Sequence, residues 1–300
     1  MSDLVIRPLV AGETQLFNSL SDPGLVGRAL AGHDFALTDE GGDYRPEWSW
    51  VALREGTVVA RAAWWAGPDD AEPIALDWFD FTDADAAVRL LRTAPLKAEY
   101  DLLLPPGWRK RPEVRDMAQA RIDTAIVAGM EPLVERYRYT WTPDCGLPER
   151  PGRLEFRPEP DDDVILDVLR RIGEGSLDAH TRHAVASKGV DAAAREELDV
   201  LLWFPSPREW WRLAYTPQGH LAGIQVPARN PNGPVVGFIG VVPEQRGHGY
   251  AYDLLVECTH DLVAYGAEGI AAATDQGNVP MAAHFAKAGY PVTQERINLV

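Results

Sequence analysis

The residues best suited to chemistry sit together between Val235 and Ala251. Val235-Val236-Gly237-Phe238-Ile239-Gly240-Val241-Val242 is a continuous apolar run, the composition of a central strand buried on both faces. Pro243-Glu244-Gln245 ends it, and Arg246-Gly247-His248-Gly249-Tyr250-Ala251 opens a helix. On physical grounds that turn is an anion site. The first amides of a helix lack intrahelical partners and carry the positive end of its dipole. Glycines at 247 and 249 omit side chains that would hold a pyrophosphate away from those amides, and Arg246 and His248 add positive charge. A tight turn needing glycine for backbone reasons alone is the competing account. The turn lacks the Gly-Lys-Ser/Thr of a Walker loop, and it is not the Gly-x-Gly-x-x-Gly of a dinucleotide site.

The elements that must position this turn recur along the chain. Leu4-Val5-Ile6-Arg7-Pro8 is echoed by Leu154-Glu155-Phe156-Arg157-Pro158, each a short alternating strand stopped by proline. Trp50–Gly56 and Trp211–Gly223 both read as strand, glycine turn and returning strand. Ala128-Gly129-Met130 leads to Glu135-Arg136, and Ala288-Gly289-Tyr290 leads to Glu295-Arg296; in both, a helix ends on a glycine. The pattern predicts two copies of one α/β fold, residues 1–145 and 152–300, joined near Pro143–Gly152. In the second copy it predicts a strand over 153–157, helices over 163–174 and parts of 178–202, and a hairpin over 211–226. Strand 235–242 then feeds helix 249–265, whose Leu254, Leu255, Cys258 and Leu262 form one apolar stripe. Strand 269–274, helix 279–288 and closing strands complete it.

The run from Val241 to Ala251 closely resembles the acyl-CoA signature of the GNAT superfamily of N-acetyltransferases, in which Arg246, Gly249 and Ala251 occupy the fixed places. Asn278-Val279-Pro280-Met281, Phe285 and Ala288-Gly289-Tyr290 resemble the family's second segment. The resemblance covers most of residues 153–300. It implies two tandem GNAT-type folds, each a mixed, mostly antiparallel sheet with a splayed central strand pair flanked by helices. It further implies acetyl-CoA as acyl donor, held by Val241, Val242, Arg246, Gly247, His248, Gly249, Tyr250 and Ala251, with Asn278 on the pantetheine arm. The first copy has no such signature. Its strand Ile74–Phe81 runs into Thr82-Asp83-Ala84-Asp85, acids that repel a pyrophosphate, so 1–145 is expected to be degenerate.

Acetyl transfer needs an unprotonated amine, a polarised carbonyl and a proton for the leaving thiolate. Strand 235–242 has no titratable side chain, and Phe285 stands where many members carry tyrosine. Asp275 and Asp178 are the candidate catalytic residues, although both types also cap helices. His180 and His183 lie beside Asp178 in the region that shapes the acceptor site in this fold, and a solvated helix face accounts for them as well. No third ligand accompanies them, so no metal is expected. His284 reads as a surface histidine, and Trp64, Trp65, Trp210 and Trp211 read as packing or as a pocket for a cation.

Bulk properties agree with this reading. The chain's 300 residues suit two domains, and 46% hydrophobic residues suffice for a core. No run of about 18 apolar residues and no secretory pattern is present, so neither membrane insertion nor export is expected. With Cys145 and Cys258 alone, a disulfide framework is not expected, and the chain is placed in the cytoplasm. A net charge of −16 argues against nucleic acid and suits a cationic acceptor, here a small-molecule amine. Surface acid for solubility is the plainer account. Oligomeric state stays open, since exposed strands can pair between chains. Two other readings remain: a non-catalytic acyl-CoA-binding or sensing protein, and a nucleotide enzyme with another glycine-rich turn.

Overall fold

The computed structural model describes residues 3–32 and 34–300. The chain forms two compact units. One runs to Glu135 and takes back Gln294–Val300; the other is Arg136–Thr293. In chain order the elements are β1 (Leu4–Pro8), α1 (Thr14–Asn18), β2 (Ser49–Arg54), β3 (Thr57–Trp65), β4 (Ala75–Phe81), α2 (Ala84–Thr93), β5 (Glu99–Leu104), α3 (Pro112–Ala128) and β6 (Pro132–Trp141). They continue as β7 (Glu155–Pro158), α4 (Asp162–Gly173), α5 (Ala179–Lys188), α6 (Val190–Trp203), β8 (Arg212–Tyr215), β9 (Leu221–Asn230), β10 (Gly233–Val241), α7 (Tyr250–Ala264), β11 (Ile270–Asp275), α8 (Val279–Lys287) and β12 (Val292–Leu299).

Strand order in the first unit is β1-β2-β3-β4-β5-β12, and in the second β6-β11-β10-β9-β8-β7. Each sheet is antiparallel except for one parallel pair, β4 with β5 and β10 with β11, joined through a crossover helix. The halves expected at 1–145 and 152–300 therefore exchange a strand each. β12, from the end of the chain, pairs with β5 from Leu104↔Glu295 to Tyr100↔Leu299. β6 pairs with β11 from Asp275↔Arg136 to Ile270↔Trp141. Ile297 and Leu299 are buried in the first unit's core, whereas Tyr139 and Trp141 are buried in the second's. The apolar alternation of each strand is thus spent on the unit it joins.

Helix α4 forms because Ile165, Leu166, Val168, Leu169 and Ile172 make one apolar stripe behind an Asp161 cap. The stripe packs under β9 against Ile224 and Val226. Helix α7 buries Leu254, Leu255, Cys258 and Leu262, the stripe legible in the sequence. Trp64 and Trp211 are core residues, and Trp210 stacks on Tyr265 at 4.1 Å.

Candidate functional site

Strand β10 pairs with β9 along its length, from Gly233↔Asn230 to Val241↔Gly223. With parallel β11 it registers at Val235↔Ala271, and no further pair joins them among the described residues. A V opens between the two strands beyond that point. Its effect on burial corrects one expectation: β10 is half-buried from Gly233 to Ile239, not buried on both faces, because its inner edge lies open. The Val242 amide donates to the Ala222 carbonyl at 3.0 Å. Alternation in an antiparallel ladder turns the polar groups of Val241 and Ile239 the other way, into the V. Consistent with this, the Val241 carbonyl accepts from Arg246 Nε at 3.3 Å. Of the two expected backbone partners, Val241 faces the groove, while the Val242 amide is committed to β9.

At the mouth of the V stands the glycine turn. Gly249, at φ 74°, is the N-cap of α7, and no side chain caps this helix. The opening amides at Tyr250 and Ala251 thus face outward with the dipole behind them. Gly247 is exposed at φ 84°. His248 is exposed, with Nδ1 3.2 Å from the Gln245 carbonyl and its ring stacked on Tyr250. Arg246 is placed otherwise than its charge suggested. Its guanidinium donates to the carbonyls of Ile172 and Glu174, each at 2.8 Å, and of Gly175 at 3.2 Å. It satisfies one carbonyl in the last turn of α4 and two just beyond the helix, and does not point to an anion on the turn. Arg153, which sequence reading passed over, braces the turn by donating to the His248 and Gly249 carbonyls and pairing with Asp253. Asn278 caps α8 through the Met281 amide at 3.3 Å.

Asp275 ends β11. Counting on from Val235↔Ala271 sets it level with Ile239 across the V. Its Oδ2 accepts the Ala179 amide at 2.6 Å, and its Oδ1 lies 3.2 Å from Arg136 Nε. Asp178 caps α5 through the Thr181 amide at 2.9 Å and lies 3.6 Å from Arg136. Both acids are therefore fixed in place. A ring nitrogen of His180 and carboxylate oxygens of Asp178 and Asp275 lie within 4.8 Å of one another. His183 is exposed and outside this group; the cation between the carboxylates is Arg136.

Burial, then the Asp178 charge, pushes the Asp275 carboxyl up. Burial also acts to raise Asp178, but Arg136 and the Thr181 amide outweigh it and hold that acid below its ordinary range. Burial first, then Asp178, pushes Glu197 on α6 up to about 7. Glu197, Arg136 and Arg153 had no signal in the sequence, because each acts through residues far along the chain. Phe285 is in the core, stacked on Tyr139 at 4.3 Å.

The connector between α4 and α5 spans the mouth of the V. Arg246 holds its start at Glu174 and Gly175, and Asp275 holds its end at Ala179. The first unit has the same V, since β4 registers with β5 at Ala75↔Glu99 and Leu76↔Tyr100. There the inner edges are taken. The Leu103 carbonyl accepts the Gly27 amide at 2.8 Å, and the Phe79 carbonyl accepts Arg121 Nε at 3.2 Å. The following helix, α2, is capped by the Asp83 carboxylate on the Ala86 amide.

A parallel strand pair that splays within a mixed sheet, twice in one chain and in the second unit over an uncapped helix N-terminus, is the tandem GNAT fold. Solved structures share it. A GCN5-related N-acetyltransferase from Sphaerobacter thermophilus matches 99% of this chain and 94% of its own at a TM-score of 0.54 and 14% identity. A tandem GNAT protein from the clavulanic acid biosynthesis pathway matches 99% and 98% at 0.51 and 16%. The glucosamine N-acetyltransferase region of a fungal multi-domain β-N-acetylglucosaminidase matches all of this chain but 38% of that protein, at 0.55 and 11%. At these identities the likeness is one of fold. No family model matches the sequence, and no curated protein is significantly similar to it. No helix among the described residues is long and apolar enough to cross a membrane.

Proposed function

We propose that the second unit transfers the acetyl group of acetyl-CoA to the amine of a small molecule. The observation that carries this reading is the V between β10 and β11, leading from the Val241 backbone to the uncapped start of α7. An extended pantetheine arm fits an unpaired strand edge as an added strand would. A pyrophosphate fits the amides after Gly249. In this assignment the Val241 amide, whose own carbonyl is held by Arg246, binds the arm, and Gly247, His248, Gly249, Tyr250 and Ala251 shape the phosphate site. Asn278 faces the arm from the start of α8, and Arg246 acts by holding the turn. Val242 contributes by fixing the direction in which Val241 points. Asp275 and Asp178 frame the acceptor end, and their carboxylates favour a cationic amine. The first unit, with its groove and helix start already occupied, is read as a degenerate copy that takes no acyl-CoA. The protein is assigned to the cytoplasm, where acyl-CoA donors are available.

Release of free CoA thiol from acetyl-CoA with a panel of primary amines tests the reading. Acetyl-CoA binding without turnover of any amine would instead favour an acyl-CoA sensor, for which the one supporting observation is Phe285, a buried residue with no proton to give at the position where the family resemblance implies a tyrosine.

A further inference from the structure

The transfer requires a destination for the acceptor's proton. An amine is a cation near neutral pH and cannot attack until it loses one proton. Strand β10 has no titratable side chain to take it. The side of the V facing β11 is different. Arg136 on β6, Asp178 and His180 at the start of α5 and Asp275 on β11 converge there, and Glu197 on the neighbouring α6 feels the charges of Asp178, Arg136 and His180. Two of them are immobile: Asp275 is tied to the Ala179 amide and Asp178 to the Thr181 amide. Two carboxylates face one guanidinium and one imidazole, and the Glu197 carboxyl adds a third within range of their charge, so the group draws a cation and has room for another proton.

We propose that His180 and Glu197, gathered with Asp178 and Asp275 around Arg136, take the proton that the acceptor ammonium must lose before attack. This rests on the acyl-transfer reading and supplies the proton acceptor that β10 lacks. The ammonium gives one proton to the cluster, and the freed nitrogen pair forms the C–N bond with the thioester carbon. The C–S bond breaks with its electron pair going to sulfur. The nitrogen's second proton passes to that sulfur as the amide forms, and the cluster returns its own proton to solvent. His180 lies within 4.8 Å of the Asp178 and Asp275 carboxylates, and the Asp178 and His180 charges act on Glu197, so these groups share their titration and the proton is not held by a single residue. Burial and Asp178 set Glu197 near neutrality, where a base in water at that pH works best. Asp178 and Asp275 are positioning residues.

His180→Gln and Glu197→Gln test this in the full chain, with acetyl-CoA and a panel of primary alkylamines, amino sugars and amino acids. Each variant is expected to lower kcat on the order of 10²-fold or more and to displace the acid limb of its pH profile. Acetyl-CoA affinity by calorimetry is expected to stay at the wild-type value. Unchanged kcat and pH profile in both variants overturn the proposal while leaving acyl transfer standing. A wild-type protein that binds acetyl-CoA but turns over no amine overturns the transfer reading, and this proposal with it. Nuclear magnetic resonance gives a check free of turnover: the titration of the His180 ring is expected to move in Glu197→Gln, and an unmoved titration overturns the shared acceptor.

Discussion

Arg246, from the glycine turn, donates to the Glu174 carbonyl at 2.8 Å and so ties the turn to the end of α4. The same guanidinium reaches the Ile172 and Gly175 carbonyls, so one side chain bonds three acceptors at and just past the helix end, where intrahelical partners run out. Arg246→Ala is therefore expected to behave first as a stability variant. Loss of these charged bonds costs about 1–3 kcal/mol, read as a lower denaturant midpoint. Arg246→Lys should recover little, because one ammonium cannot span three carbonyls as the planar fork does. Wild-type stability in Arg246→Ala would show that the side chain is free to serve an anion instead.

Gly249 is the position where backbone and ligand demands coincide. At φ 74° a β-branched residue is strained by about 1–3 kcal/mol, and its side chain would stand against the Arg153 guanidinium that braces the turn, 3.7 Å from the added Cβ. Gly249→Val is expected to abolish measurable acetyl-CoA binding in calorimetry while circular dichroism stays that of a folded protein. Unchanged affinity would remove the pyrophosphate from this turn.

Much of this turn and its helix was legible in the sequence, because the signal is local: an apolar strand, two glycines and an apolar stripe on α7. The tandem fold was legible too, through the echoes of β1 with β7 and of the β2–β3 hairpin with β8–β9. What escaped is what long-range pairing decides. The echo matching Glu135 with Glu295 slips by one residue in the ladders, where Arg136 pairs with the last residue of β11 and Glu295 with the last of β5. A one-residue slip reverses which face a side chain takes, so the sequence alone could not bring Arg136 to Asp275. Nor could it foresee that Arg246 would turn to α4, since a charge beside glycines reads as an anion contact until its competing carbonyls are known. The half-buried state of β10 follows from a strand pair that parts, which an apolar run does not encode.

Stoichiometry separates the two units. In the first, Gly27 and Arg121 take the strand-edge carbonyls of Leu103 and Phe79, and Asp83 caps the helix start. A carboxylate there fills the amide site and repels phosphate. Calorimetry with acetyl-CoA is expected to give one molecule per chain. Two would show that the first unit's groove opens to ligand.

Glu197 makes the pH dependence of stability testable without any substrate. Its carboxyl is pushed from an ordinary 4.5 up to about 7 in the folded chain, by burial first and then by Asp178. Between those values the unfolded chain has released this proton and the folded chain still holds it. Stability from this group is therefore fully present below about pH 4.5, falls as pH rises, and is lost above about pH 7. Glu197→Gln keeps the shape of the side chain and cannot ionise. Subtracting its denaturant midpoints from those of the wild type cancels the titration of groups remote from it. The variant is expected to gain on the wild type steadily through that window and to keep a constant advantage above it. A difference that does not vary with pH would mean that Glu197 titrates alike in both states, and would remove it from the cluster around Arg136.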